Sequence, residues 1–180
     1  MVNNTTKQAA PYPALLRLLD GIEGTLAVIE KRVAAISMFV ILIGISITIL
    51  TRVINLPIPS MGEIAIVAMA PLAFIGGAFC SYMHRHITID AVDAFGPPRV
   101  RRAIRILAAL SMMVFAGTYC WLTLSFFQYV WSSGERLIDL GTPVWIPVGC
   151  IVLGAFLMML HASLDVLRMV LGLPRTGGME

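Results

Sequence analysis

Residues 106–134 read ILAALSMMVFAGTYCWLTLSFFQYVWSSG, twenty-nine positions without one Asp, Glu, Lys or Arg. As an α-helix this run measures about 43 Å at 1.5 Å per residue, against roughly 30 Å of bilayer hydrocarbon. A segment in lipid must satisfy its own backbone polar groups, which a helix does within itself. The run therefore predicts a transmembrane helix over about 106–131 that tilts or projects at one end. Tyr129 and Trp131, near its close, are placed as anchors at a membrane surface.

Three other apolar runs lie on either side of this one, giving spans of about 33–51, 64–83, 106–131 and 143–164. The whole chain agrees with that count: 58% of its 180 residues are hydrophobic, 13% are charged, and the mean hydropathy is +0.88. Such composition predicts an all-α integral membrane protein with four transmembrane helices. The four spans form one membrane domain over 14–170, between polar tails at 1–13 and 171–180. Pro57, Pro59 and Gly62 separate the first two spans and turn the chain back. Within the second span, Pro71 predicts a bend, and Gly76 and Gly77 predict close packing against a neighbouring helix. Trp145 and Pro147 open the fourth span, where an interfacial aromatic and an early proline are both tolerated.

Two amphipathic interfacial helices are expected beside the spans. Before span one, Leu15, Leu18, Leu19, Ile22, Leu26 and Ile29 recur at helical spacing, with Arg17, Asp20, Glu23, Glu30 and Lys31 largely opposite. This pattern predicts a helix along the membrane surface, its apolar side in the acyl boundary and its charges in water. Between spans two and three, Ile87, Ile89, Val92 and Phe95 predict a second one, ended by Gly96-Pro97-Pro98.

The basic residues fix the expected orientation. Eleven of the thirteen precede span one, fill the loop between spans two and three, or follow span four; only Arg52 and Arg136 lie on the other side. The positive-inside rule then puts both termini in the cytoplasm. The same distribution explains the pI near 9.0 by attraction to anionic lipid and excludes a nucleic-acid role.

Between their ends the spans contain no Asp, Glu, Lys or Arg. Ion coupling, proton relays and charged-substrate sites need such groups, so the chain alone lacks evident coupling machinery. Glu63 and Asp165 stand at span boundaries, where water and headgroups solvate a carboxylate. His161, in the last turns of span four, reads as a packed or interfacial histidine and not as a ligand. Cys80, Cys120 and Cys150 fall at different depths, against a disulfide or a shared metal site. No phosphate loop, nucleophile elbow or zinc pattern is present, so no catalytic, substrate-binding or metal residue is assigned and no enzyme activity is expected. A cytochrome-b-like anchor, with His84 or His86 and His161 as haem ligands, is the alternative from another class.

The order Gly62-Glu63, Gly76-Gly77, His86-Ile87-Thr88-Ile89-Asp90, Arg99-Val100-Arg101-Arg102 and Pro143-Val144-Trp145 resembles the small, DctQ-like membrane subunit of tripartite ATP-independent periplasmic (TRAP) transporters, over about residues 25–170. The resemblance implies an inner-membrane scaffold that braces a large multi-span transport subunit. In that family a periplasmic solute-binding protein delivers the solute, typically an organic acid, and sodium coupling belongs to the large subunit. No cofactor is then expected in this chain. Carried over by position, Glu63, His86, Asp90, Arg101 and Arg102 imply roles in loop geometry or in contact with partner or lipid; Gly76, Gly77 and Trp145 complete the candidate interface set. Small subunits of tripartite tricarboxylate transporters are similar four-span proteins and form the nearest alternative.

Overall fold

The computed structural model of the protein describes residues 14–56, 61–83 and 97–171. They form four helices: α1 (Ala14–Val53), α2 (Gly62–Tyr82), α3 (Pro98–Ser133) and α4 (Trp145–Leu171). Each contains a stretch long and apolar enough to cross a membrane. The described residues contain no strand, and their one isolated bridge pairs Arg136 with Pro143.

Local chemistry sets the helix ends. At the end of α1, Asn55 takes a positive φ of 54°, which asparagine tolerates better than most residues. The Leu56 amide then returns to the Thr51 carbonyl at 3.0 Å, closing the helix before Pro57. Pro98 starts α3 in its first turn, where the missing amide proton is not needed. Gly134 stops the same helix in the left-handed region, at φ 66°, as a C-terminal glycine commonly does. α2 continues through Pro71 as a single helix.

The main contacts run in the order α1, α2, α4, α3, so α2 and α4 are central and α1 and α3 are outer. Small residues bring these helices together. On α1 the covered face repeats at alternating intervals of four and three: Glu23, Ala27, Glu30, Ala34, Ser37, Ile41, Gly44 and Thr48 are all buried or half-buried. This seven-residue repeat belongs to helices that pack at shallow angles. The bulky residues Ile36, Phe39, Leu42 and Ile43 point outward from the bundle. In lipid, apolar side chains gain little from burial, so small side chains inside and large ones outside is the favourable arrangement. Ile75, Ala78 and Leu157 form the central cluster, with Leu26, Val33 and Met158 against it.

Hydroxyls within the spans bond to their own helix: Thr48 Oγ1 donates to the Gly44 carbonyl at 2.8 Å and Ser46 Oγ to that of Leu42 at 2.7 Å. Such bonds satisfy a polar side chain without a partner helix. Among the three cysteines, Cys120 is buried, Cys150 half-buried and Cys80 exposed, and all are free.

The structure corrects two expectations of the sequence. Glu63, expected to be solvated by water and headgroups, is only 3% exposed, its carboxylate taken up by the Leu140 and Thr142 amides. No separate surface helix precedes span one, because residues 14–53 are a single 40-residue helix, about 60 Å long. Its charged side is not in water either: Glu23 and Glu30 are each only 1% exposed, while Ile22 and Ile29 are 57% and 51% exposed. Helical periodicity separates two faces but does not say which one meets protein. Here α4 supplies a histidine and an arginine, and the acidic face turns to them. The second expected interfacial helix, and the tails at 1–13 and 172–180, lie outside the described residues.

Candidate functional site: two polar clasps at opposite ends of the bundle

The first clasp joins α1 to α4. Glu23 and Glu30 stand seven residues apart on α1, as do His161 and Arg168 on α4, so each pair lies along one face of its helix. His161 fits between the two glutamates, with Nδ1 3.1 Å from Glu23 Oε1 and Nε2 3.0 Å from Glu30 Oε1. With a carboxylate oxygen on each nitrogen, the ring donates to both as an imidazolium. Arg168 donates from the same Nη2 to Asp20 at 2.7 Å and to Glu23. Glu23 therefore accepts from both cations and is the hub of the cluster.

The centre of this network is shielded, since Glu23, Glu30, His161 and Arg168 are all buried, with half-buried Asp20 at its edge. The Tyr82 ring, from the end of α2, lies over His161 with centroids 5.5 Å apart. Buried charges are costly to desolvate and persist only when paired with good geometry. The cluster fixes the register of α1 against α4 and leaves neither nitrogen of His161 for a haem iron.

The second clasp is at the other end, where α3 turns into α4. Glu63, in the first turn of α2 and 3% exposed, accepts from the Leu140 amide at 2.8 Å and the Thr142 amide at 3.0 Å. The segment it holds is a short hairpin. The Leu137 amide donates to the Thr142 carbonyl at 2.9 Å and the Val144 amide to the Glu135 carbonyl at 3.0 Å. Gly141, at φ 73°, provides the left-handed turn residue, and Arg136 Nη1 donates to its carbonyl at 3.3 Å. Beneath the hairpin Trp131 and Trp145 meet edge to face, centroids 5.2 Å apart, beside a hollow of about 200 Å³.

Between the clasps α2 and α4 touch backbone to backbone. A Cβ added at Gly154 would lie 2.6 Å from the carbonyl carbon and oxygen of Phe74, closer than any real contact, so only glycine fits. Among the described residues no group of three or more His, Cys, Asp or Glu is disposed to hold a metal ion.

The family model described as "Tripartite ATP-independent periplasmic transporters, DctQ component" matches residues 41–172. The chain belongs to the DctQ family. It is thus a small subunit of a TRAP transporter, in a family of transporter components and not of enzymes. Comparison with curated proteins gives no match.

Of the residues singled out from the sequence of this DctQ chain, Glu63 and Trp145 come together around the α3–α4 hairpin. Gly76 faces Ala34 of α1 and Gly77 faces Met158 of α4, where an added Cβ would find its nearest neighbour at 3.6 and 3.7 Å, an ordinary contact. His86 and Asp90 lie outside the described residues, as do the side chains of Arg101 and Arg102, whose backbone is in the first turns of α3.

Sequence reading missed the α1–α4 network and Gly154. A signal for the network was present, two seven-residue spacings of opposite character at the two ends of the chain. Gly154 carried no signal, being one of several isolated glycines in the spans.

Proposed function

We propose that this chain is the static brace of a TRAP transporter, holding the large multi-span transport subunit in the inner membrane while that subunit moves solute. One observation supports this most directly. The described buried charges sit at the two ends of the bundle, and Glu23, Glu30, Glu63, His161 and Arg168 each bond to another part of the same chain. Charges committed to internal clasps serve rigidity, whereas a transport site needs ionisable groups that exchange partners. The outward apolar faces of α1 and α3 suit packing against a partner and lipid.

In this reading residues 14–170 form one multi-pass domain with both termini cytoplasmic, following the basic residues. A periplasmic binding protein delivers an organic-acid-type solute, the large subunit couples uptake to sodium, and this chain binds no cofactor. Glu63, Gly76, Gly77, His86, Asp90, Arg101, Arg102 and Trp145 remain the proposed interface set, with Glu63 acting through the hairpin it holds and Gly76 and Gly77 through the packing of α2 on α1 and α4. DctQ membership favours this reading over a tripartite tricarboxylate subunit. The test is co-purification. The tagged chain should retain a large membrane subunit, and the chain reconstituted alone should show no solute uptake; uptake by the isolated chain would overturn the proposal.

A further inference from the structure

The hollow of about 200 Å³ beside the α3–α4 hairpin has two kinds of wall, the rings of Trp131 and Trp145 and the charged pair Glu135 and Arg136. The tryptophans are 61% and 40% exposed, so packing against each other leaves ring surface of both uncovered. Glu135 and Arg136 are also exposed. Although opposite in sign, neither forms an ion pair among the described residues. Arg136 gives one N–H, from Nη1, to the Gly141 carbonyl at 3.3 Å. That bond steadies the guanidinium against the hairpin while most of its five donors stay available.

Depth decides what meets this hollow. Trp131 is near the close of the apolar stretch of α3, Ile106–Ser133, and Trp145 opens that of α4, Trp145–Arg168. The hollow therefore lies where hydrocarbon gives way to headgroups, the level at which tryptophan is enriched. A phosphoethanolamine headgroup carries an anion and a cation a few bonds apart, matching Arg136 and Glu135 in sign. Its primary ammonium donates hydrogen bonds to a carboxylate and is drawn to indole faces. A choline headgroup keeps the attraction to the rings but has no N–H to donate. A glycerol headgroup brings the phosphate alone and sets it beside the Glu135 carboxylate, a like charge.

We propose that the hollow is a binding site for one phosphatidylethanolamine molecule, its phosphate on Arg136 and its ammonium between Glu135 and the indoles of Trp131 and Trp145. The site depends on the depth of the hollow in the membrane and on its charges. It needs neither the orientation of the chain nor its partner subunits, so it stands or falls separately from the brace reading.

The experiment is native mass spectrometry of the full-length chain, purified in detergent and stripped of lipid. Phosphatidylethanolamine, phosphatidylcholine and phosphatidylglycerol with matched acyl chains are titrated in separately. The wild type should retain one phosphatidylethanolamine at a concentration roughly tenfold below that needed for either other lipid. Glu135→Gln should abolish the preference over phosphatidylglycerol, and Arg136→Gln should weaken phosphatidylethanolamine binding roughly tenfold. Arg52→Gln, at the same end of the bundle but outside the hollow, should bind as the wild type does. Equal retention of the three lipids by the wild type, or tighter retention of either of the other two, overturns the proposal. So does a wild-type preference that persists in Glu135→Gln. The Glu135 side chain makes no hydrogen bond among the described residues, so this variant tests the site without loosening the hairpin.

Discussion

At one end of the bundle Glu23 and Glu30 of α1 reach His161 and Arg168 of α4 through side chains alone, and at the other Glu63 of α2 reaches the backbone amides of Leu140 and Thr142. Both clasps are buried carboxylate chemistry, yet they distribute their dependence differently. The α1–α4 network needs several side chains from two helices at once, and each is a charge that becomes costly when its partner is lost. The hairpin clasp draws its donors from the main chain, which no substitution other than proline removes, so its chemistry is concentrated in one residue. A bundle built this way is charge-coupled where its first and last helices meet and backbone-fixed where it presents a loop.

The largest effect should come from breaking the charge-coupled end. His161→Leu leaves Glu30 without the contact its Oε1 makes and leaves Glu23 with Arg168 only. Removing one partner of a buried ion pair costs about 3–5 kcal/mol. The comparison variant is Glu30→Gln, which keeps a hydrogen bond to the ring and removes a charge, at a cost of about 1 kcal/mol. Thermal unfolding of the purified protein in detergent measures both. If Glu30→Gln melts with the wild type while His161→Leu falls, hydrogen bonding and packing, not the Glu30 charge, join α1 to α4.

Next in size is the contact between the clasps. Gly154→Ala forces a Cβ into the Phe74 backbone, and overpacking of that kind costs about 1–3 kcal/mol. Gly76→Ala meets only an ordinary contact and gains up to about 1 kcal/mol of helix propensity. The expected order is therefore Gly154→Ala well below wild type and Gly76→Ala at or above it. The reverse order in a melting series would show that α2 packs more tightly on α1 than on α4.

These contrasts also show what the sequence carried. The four apolar helices were legible because length without charge has few other meanings, as in the run 106–134. The side taken by Glu23 and Glu30 was not, since a charged helix face satisfies water, headgroups or an opposing cation equally well as a pattern. Only the approach of α4 decides among them. Glu63 was legible as a boundary residue, but its amide partners lie 77 and 79 residues away. Bonds to main chain leave no trace in the identity of the partner residue. Gly154 differs from Gly76 only in what faces it, a tertiary fact.

The smallest expected effect on overall stability, and the sharpest local one, belongs to Glu63. Glutamine is not a conservative replacement there. A carboxylate offers an acceptor to each amide, whereas the Gln side chain offers one carbonyl and one NH2, so either Leu140 or Thr142 would face a donor. Glu63→Gln should raise amide hydrogen exchange at one of these two positions, and Glu63→Ala at both, with the bundle's melting midpoint falling less than in His161→Leu. The hairpin's own hydrogen bonds, Leu137 to Thr142 and Val144 to Glu135, should keep its fold while its attachment to α2 loosens. Exchange that stays at wild-type rates in Glu63→Ala would mean the hairpin orders itself. The carboxylate would then be held by the loop, reversing the direction of support.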